Sequence, residues 1–253
     1  PTKSIVLPYA ETRGQEAIDL YNGSGRTAQE WQELLTYDIL AVNADGLWVH
    51  TKYGEEIPRR NGKNEVVVIR EMWGLAHGEK ILHTAHRTTT STSAARRLAA
   101  RLVGAGYEEV ARIKKGEKYS KHFTYTKQLG MERIVLLGEG GGTIDFRTRS
   151  SSGGLGEGFD LLVIDEAQEY TDNQETALKY VVTDSKNPQT IFCGTPPTTV
   201  SAGTVFTKLR SAVLQGETTN TGWAEWSVDE MTDPGNKEAW YETNPSLGTI
   251  LTE

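Results

Sequence analysis

The chain holds 253 residues, enough for one large α/β domain or two small ones with a sizeable core. Its hydrophobic and charged fractions, 37% and 24%, are ordinary for a globular protein; no apolar run approaches membrane-spanning length and no signal segment opens it. A net charge of −7 argues against a generally basic nucleic-acid coat while leaving room for a local basic face, and the lone cysteine, Cys193, permits no internal disulfide, which fits a reducing compartment.

Residues 1–26 read as polar loop. Thr27 is placed to cap a helix over 28–40, with Glu30 three residues later completing a capping box. Residues 44–62 carry Gly46, Gly54, Pro58 and Gly62 with short extended pieces between them. From Asn64 onward Val66, Val67, Ile69, Met72, Trp73 and Ala76 recur at helical spacing. A strand over 80–85 follows, then a helix over 90–103 that is apolar on one side and carries Arg96, Arg97 and Arg101 on the other. Residues 133–137 and 143–147 flank five residues, four of them glycine, as the arms of a hairpin, and the Ser/Gly-rich stretch 148–158 is expected to be mobile. Leu161 to Ile164 form an apolar run that ends in Asp165 and Glu166. Beyond it the pattern predicts a helix at 174–183, a buried strand at 189–193, a helix at 203–215, a strand at 223–227 and a short helix at 236–243. The domain is expected to span 1–244, with 245–253 opening a linker. Alternating strands and helices specify an α/β fold with a central, mostly parallel sheet flanked by helices.

The chemistry-bearing residues sit at the ends of predicted strands. A strand buried on both faces that ends in paired acids is the pattern of a Walker B strand, because buried carboxylates are costly unless a metal or partner meets them. In that role Asp165 holds Mg²⁺ on a nucleotide and Glu166 activates a water; a strand end that merely emerges into water is the plain alternative. The sequence Pro58-Arg59-Arg60-Asn61-Gly62-Lys63-Asn64 places a Gly-Lys pair where a loop enters a helix, as in a phosphate-binding loop. Against the standard pattern, Ile57 stands for the first glycine and Asn64 for the hydroxyl residue, and Asn-Gly-Lys also fits an exposed turn. A third strand end, Ile191-Phe192-Cys193-Gly194-Thr195-Pro196-Pro197, follows the other two in order. Ligands of parallel sheets gather at such carboxyl ends. His83 and His86 lack companion ligands at metal spacing and read as structural. The arginine row reads as a solvated face, with DNA contact as the alternative, and Asp229, Glu230 and Asp233 do not form a nuclease cluster.

Together, P-R-R-N-G-K-N, L-L-V-I-D-E-A-Q and F-C-G-T-P-P resemble the N-terminal ATPase domain of tailed-bacteriophage terminase large subunits, the DNA-packaging motors, over about residues 27 to 248. The resemblance implies a P-loop NTPase of the ASCE, RecA-like kind using ATP and Mg²⁺. The family often has a Walker A loop of the R-x-x-G-K kind, so Arg59 becomes a phosphate contact beside Arg60, Asn61, Gly62, Lys63 and Asn64. It implies magnesium at Asp165 with Asn64 as a weak or water-mediated contact, Glu166 as general base and Thr195 as the residue that couples phosphate state to movement. Gln32 matches the family's adenine-reading glutamine, or is a surface glutamine beside Trp31. Arg149, preferred to Arg147, matches a finger reaching a neighbouring copy. The implied partners are double-stranded DNA, a portal protein, a small terminase subunit and further copies in a ring (a pentamer in the family), in the host cytoplasm, with a nuclease following as a separate domain. A helicase-like nucleic-acid-dependent ATPase and a non-hydrolysing nucleotide-binding scaffold are the rival readings.

Overall fold

The computed structural model describes residues 1–149, 157–228 and 232–252. Most of the Ser/Gly-rich stretch 148–158, and Asp229 and Glu230, fall outside them. The amino-terminal stretch expected to be loop contains β1 (Lys3–Ile5), β2 (Glu11–Thr12) and a helix α1 (Gly14–Asn22). Ala17, Ile18 and Tyr21 share one face of α1 and are buried in the main core. The stripe is only three residues long, too short to stand out in the sequence. The next helix, α2 (Glu30–Ile39), is capped by Gln29 and not by Thr27. Asn22 Oδ1 accepts the Ala28 N–H at 2.9 Å, so the chain is still tied to the end of α1 at that point and Thr27 lies outside the cap.

A short β3 (Ala41–Val42) precedes β4 (Lys52–Glu56), the loop 57–62 and α3 (Lys63–Ala76). Then come β5 (Lys80–Ala85), α4 (Thr88–Gly104), β6 (Glu108–Glu109), β7 (His122–Thr126), β8 (Arg133–Leu137) and β9 (Thr143–Thr148), with β8 and β9 pairing as the predicted hairpin. The last third holds β10 (Leu161–Asp165), α5 (Asp172–Leu178), β11 (Gln189–Gly194), α6 (Val205–Leu214), β12 (Thr221–Glu225) and α7 (Lys237–Thr243).

Ten strands form one sheet in the order β1-β12-β4-β11-β10-β5-β9-β8-β7-β6, and β12, β4, β11, β10, β5 and β9 run parallel. All five residues of β10 are buried, as a strand covered on both faces must be. Leu161 and Val163 enter the core beneath α1 to α4, while Leu162 and Ile164 enter the one beneath α5 and α6. Asp165, next in the alternation, lies on the α3 side. Gly54 in β4 allows a close approach: a Cβ there would lie 2.2 Å from the Trp223 ring. Among the described residues no helix is long and apolar enough to cross a membrane.

Candidate nucleotide site

Strand order brings the candidate residues together. β11 alone separates β4, which leads into the Gly62–Lys63 loop, from β10, which ends in the acid pair. The loop leaves β4 through a buried Ile57 and takes left-handed backbone at Arg60 (φ 68) and Gly62 (φ 89) before α3 begins at Lys63. A helix start of this kind presents unpaired N–H groups and the positive end of the helix dipole. Arg59 and Arg60 are exposed beside it, and Asn61 is fully buried.

Lys63 and Asp165 meet through Asn64. Lys63 Nζ lies 3.5 Å from Asn64 Oδ1, and Asn64 Nδ2 donates to Asp165 Oδ2 at 2.9 Å. The Asn64 oxygen thus faces the lysine and its nitrogen the acid, a correction to the expectation that Asn64 offers oxygen to a metal. Asp165 also accepts the Glu166 N–H at 2.8 Å and has His83 Nε2 3.7 Å away. A cavity of about 220 Å³ lined by Asn64, Thr89, Thr90, Ser93, Arg97 and Asp165 opens at this point.

The electrostatics separate the carboxyls. Burial alone would raise Asp165, but the hydrogen bond and charge of His83, the Lys63 charge and the Glu166 N–H hold it below the ordinary aspartate value. Burial alone would lower the His83 imidazole; Glu71, whose Oε1 is 2.5 Å from Nδ1, and Asp165 outweigh it and lift it to about 9. Glu55, fully buried near the end of β4, is pushed by burial to about 8 despite the Cys193 contact and the nearby Lys63 charge. Neither Glu55 nor the His83–Glu71 pair stands out in the sequence. His83 lies opposite Val163 in the β5–β10 register, and only the sheet pairing reveals that it reaches Asp165.

Glu166 takes left-handed backbone (φ 53), and its Oε2 accepts the N–H groups of His86 at 3.0 Å and Arg87 at 3.2 Å, where the chain turns into α4. Thr195 is buried at the end of β11, and its N–H donates to Gln168 Oε1 at 3.2 Å, which joins the third strand end to the turn after the acid pair.

Two expectations are corrected. Gln32 is buried with both ends of its amide engaged: Oε1 accepts the Gln29 N–H at 2.9 Å and Nε2 donates to the Gly62 carbonyl at 3.1 Å. It supports the loop from below with an amide that is buried and bonded at both ends; Gln29 Nε2 is a nearby amide donor that is buried without an acceptor. Arg149 is 7% exposed, and its guanidinium points into its own chain. It donates to the carbonyls of Thr84 at 3.1 Å, Asp165 at 2.6 Å and Glu166 at 3.1 Å, and lies over the Tyr170 ring at 5.4 Å. The hydrogen-bond partners of its terminal nitrogens all lie in its own chain. Arg147 is likewise engaged within the chain, with Asp145 and the Glu132 carbonyl.

No protein-family model matches the sequence, and no curated protein does. Solved structures do. The large terminase of bacteriophage HK97 superposes with a TM-score of 0.74 at 15% identity, over 96% of this chain and 50% of that one. The large terminase of a thermophilic bacteriophage gives 0.51 at 9% identity, over 92% of this chain and 50% of that one. A point mutant of the Thermus phage P74-26 large terminase ATPase domain gives 0.50 at 13% identity, covering 74% and 71%. The chain spans about half the length of the first two of these proteins. Its central sheet, mostly parallel and flanked by helices, is the P-loop NTPase fold of phage large-terminase ATPase domains.

Proposed function

We propose that this chain binds ATP with Mg²⁺ and hydrolyses it as the motor domain of a phage large terminase, moving double-stranded DNA into a procapsid. The observation that carries the reading is the meeting of Lys63, at the start of the helix after β4, and Asp165, at the end of β10, through Asn64 across the one strand between them. The amides of 60–64, with Lys63 and Arg59, hold the phosphates. The donor set fits a magnesium ion: Asp165 is a carboxylate kept ionised, in a cavity open to solvent, and magnesium needs only one or two protein oxygens when phosphate supplies the rest. When bound, the ion neutralises charge on the phosphate oxygens. Asp165 holds it, with Asn64 keeping that carboxylate in place.

Glu166 is the general base. Its carboxylate rests on the amides of His86 and Arg87 and turns toward the cavity to take a proton from water. Thr195, through Gln168, is the element that moves with the acid strand end. Arg149 acts in cis, holding the consecutive carbonyls of Asp165 and Glu166. Portal protein, small terminase subunit and a ring of copies are the partners that the resemblance to large terminases implies, with packaging in the host cytoplasm.

The test is nucleotide binding and turnover of the parent chain beside Lys63→Ala and Glu166→Gln. Lys63→Ala loses binding. Glu166→Gln binds ATP and loses turnover by about 10²–10⁴-fold, the usual range for removal of a general base. Undiminished turnover in Glu166→Gln removes that residue from the role. A parent that binds ATP but never turns it over leaves the non-hydrolysing scaffold, the reading favoured by the Asn64 amide lying on Asp165.

A further inference from the structure

The loop assigned to the phosphates is held from far along the chain. Asn61, fully buried at its centre, donates through Nδ2 to Asn244 Oδ1 at 2.9 Å and accepts through Oδ1 the Ser246 N–H at 3.0 Å. Ser246, itself fully buried, donates its hydroxyl to the Asn61 carbonyl at 2.6 Å and accepts the Trp31 indole N–H at 3.2 Å. Thr249 Oγ1 lies 2.9 Å from Gln29 Oε1, beside the Gln29 amide nitrogen that has no acceptor. The N–H groups of Ile250 and Leu251 both fold back on the Ser246 carbonyl at 3.0 Å, which makes the segment a closed turn. Ile250 caps it: a Cβ on Gly62 would lie 3.6 Å from Ile250 Cδ1.

These contacts fix the conformation that matters for an anion. Two residues flanking Asn61, Arg60 and Gly62, are left-handed, and for arginine that backbone is unfavourable. Asn61 is bonded on both sides of its amide to the 244–246 segment, and Nδ2 also lies 3.2 Å from the Pro58 carbonyl. The shape of the loop is therefore set jointly by its own residues and by a segment whose composition reads as linker. A cradle of backbone amides binds phosphate in proportion to how well it is held beforehand.

We infer that residues 244–251 are a strap belonging to the nucleotide site, in which Asn244 and Ser246 are positioning residues that act through Asn61 on the Gly62–Lys63 turn. The inference rests on the nucleotide reading above. Because the strap and the ligand share one loop, coupling between them is reciprocal: fixing the strap tightens nucleotide, and nucleotide fixes the strap.

The test uses the full chain with Mg²⁺ and a fluorescent ADP analogue, together with hydrogen exchange across 244–251 with and without ADP. Asn244→Ala and Ser246→Ala raise the dissociation constant about tenfold, since each loses one side-chain hydrogen bond to Asn61. They raise KM for ATP while kcat at saturation is kept. In the parent, ADP slows exchange in 244–251. Asn244 is half-buried, so Asn244→Ala decides the matter if Ser246→Ala does not fold. Affinity within about twofold of the parent in a folded Asn244→Ala, or no ADP-dependent protection at 244–251, overturns the strap alone. A parent that binds no nucleotide overturns the nucleotide reading, and the strap with it.

Discussion

Arg149 distinguishes a clamp within one chain from a finger reaching into another. Replacing it with methionine keeps most of the volume and removes the guanidinium. The structure assigns that group three carbonyl partners and a place over the Tyr170 ring. Each hydrogen bond from a charged donor contributes roughly 1.5–3 kcal/mol and the ring contact about 1 kcal/mol. Against them stands the cost of burying a cation, large enough that burial pulls the Arg149 guanidinium down to about 10. The Glu166 carbonyl keeps the Glu169 N–H as a second partner, so Asp165 carries most of the loss. The net expectation is a destabilisation of roughly 2–4 kcal/mol in denaturant unfolding. Lysine at 149 recovers little of it, because a point charge does not span three acceptors. Turnover falls at every protein concentration, dilute solutions included, since the Glu166 backbone is no longer held. A variant within about 1 kcal/mol of the parent, with normal turnover when dilute and loss only of a concentration-dependent rise, refutes the clamp and restores the finger.

Two buried groups make contributions to stability that both fall as pH rises, in different windows. Glu55 has its folded value raised to about 8 from 4.5, so the folded state retains a proton that the unfolded state releases; stability is highest below pH 4.5 and falls as pH rises toward 8, by a few kcal/mol at most. Glu55→Gln removes that slope, and thermal unfolding of parent and variant between about pH 5 and 8 measures it; parallel curves refute it. His83 is raised from 6.5 to about 9, so its ion pairs contribute fully below pH 6.5 and are lost as pH passes 9, a contribution of about 3 kcal/mol. His83→Gln is accordingly less stable than the parent at about pH 6, with a gap that closes by about pH 9.5, and a gap independent of pH sinks the argument.

The strand most plainly legible in the sequence was β10, since four apolar residues followed by two acids leave few other structures. β4 also lies inside the sheet yet reads only as a short extended piece, because Lys52, Glu55 and Glu56 look like solvent-facing residues. The structure buries both glutamates, and burial pushes Glu55 to about 8 and Glu56 to about 7. A carboxyl that keeps its proton is not a buried charge, so the rule that acids mark the surface fails for a strand whose neighbours shift their titration. The helix α3 was legible from its apolar periodicity, and α1 was not, for want of length. Lys63, Asp165 and Thr195 could be placed at strand ends from order along the chain alone. Their supports could not, since Asn244 and Ser246 lie far along the chain from the loop they hold and carry no pattern of their own.

The misplaced arginine has a geometric explanation. Arg149 follows β9, and the resemblance to large terminases alone implied that it reaches a neighbouring copy. In the sheet, only β5 stands between β9 and β10. Arg149 continues the β9 ladder by donating its N–H to the Ala85 carbonyl at 2.9 Å, which sets its side chain level with the end of β5. From there the guanidinium crosses one strand and meets the Asp165 carbonyl. Adjacent parallel strands are about 4.8 Å apart, and two such spacings are within the combined reach of an arginine side chain and the bend of the chain. The order of strands in the sheet, which no local pattern encodes, thus turns a residue expected to serve a neighbour into one that holds the end of β10 in its own chain.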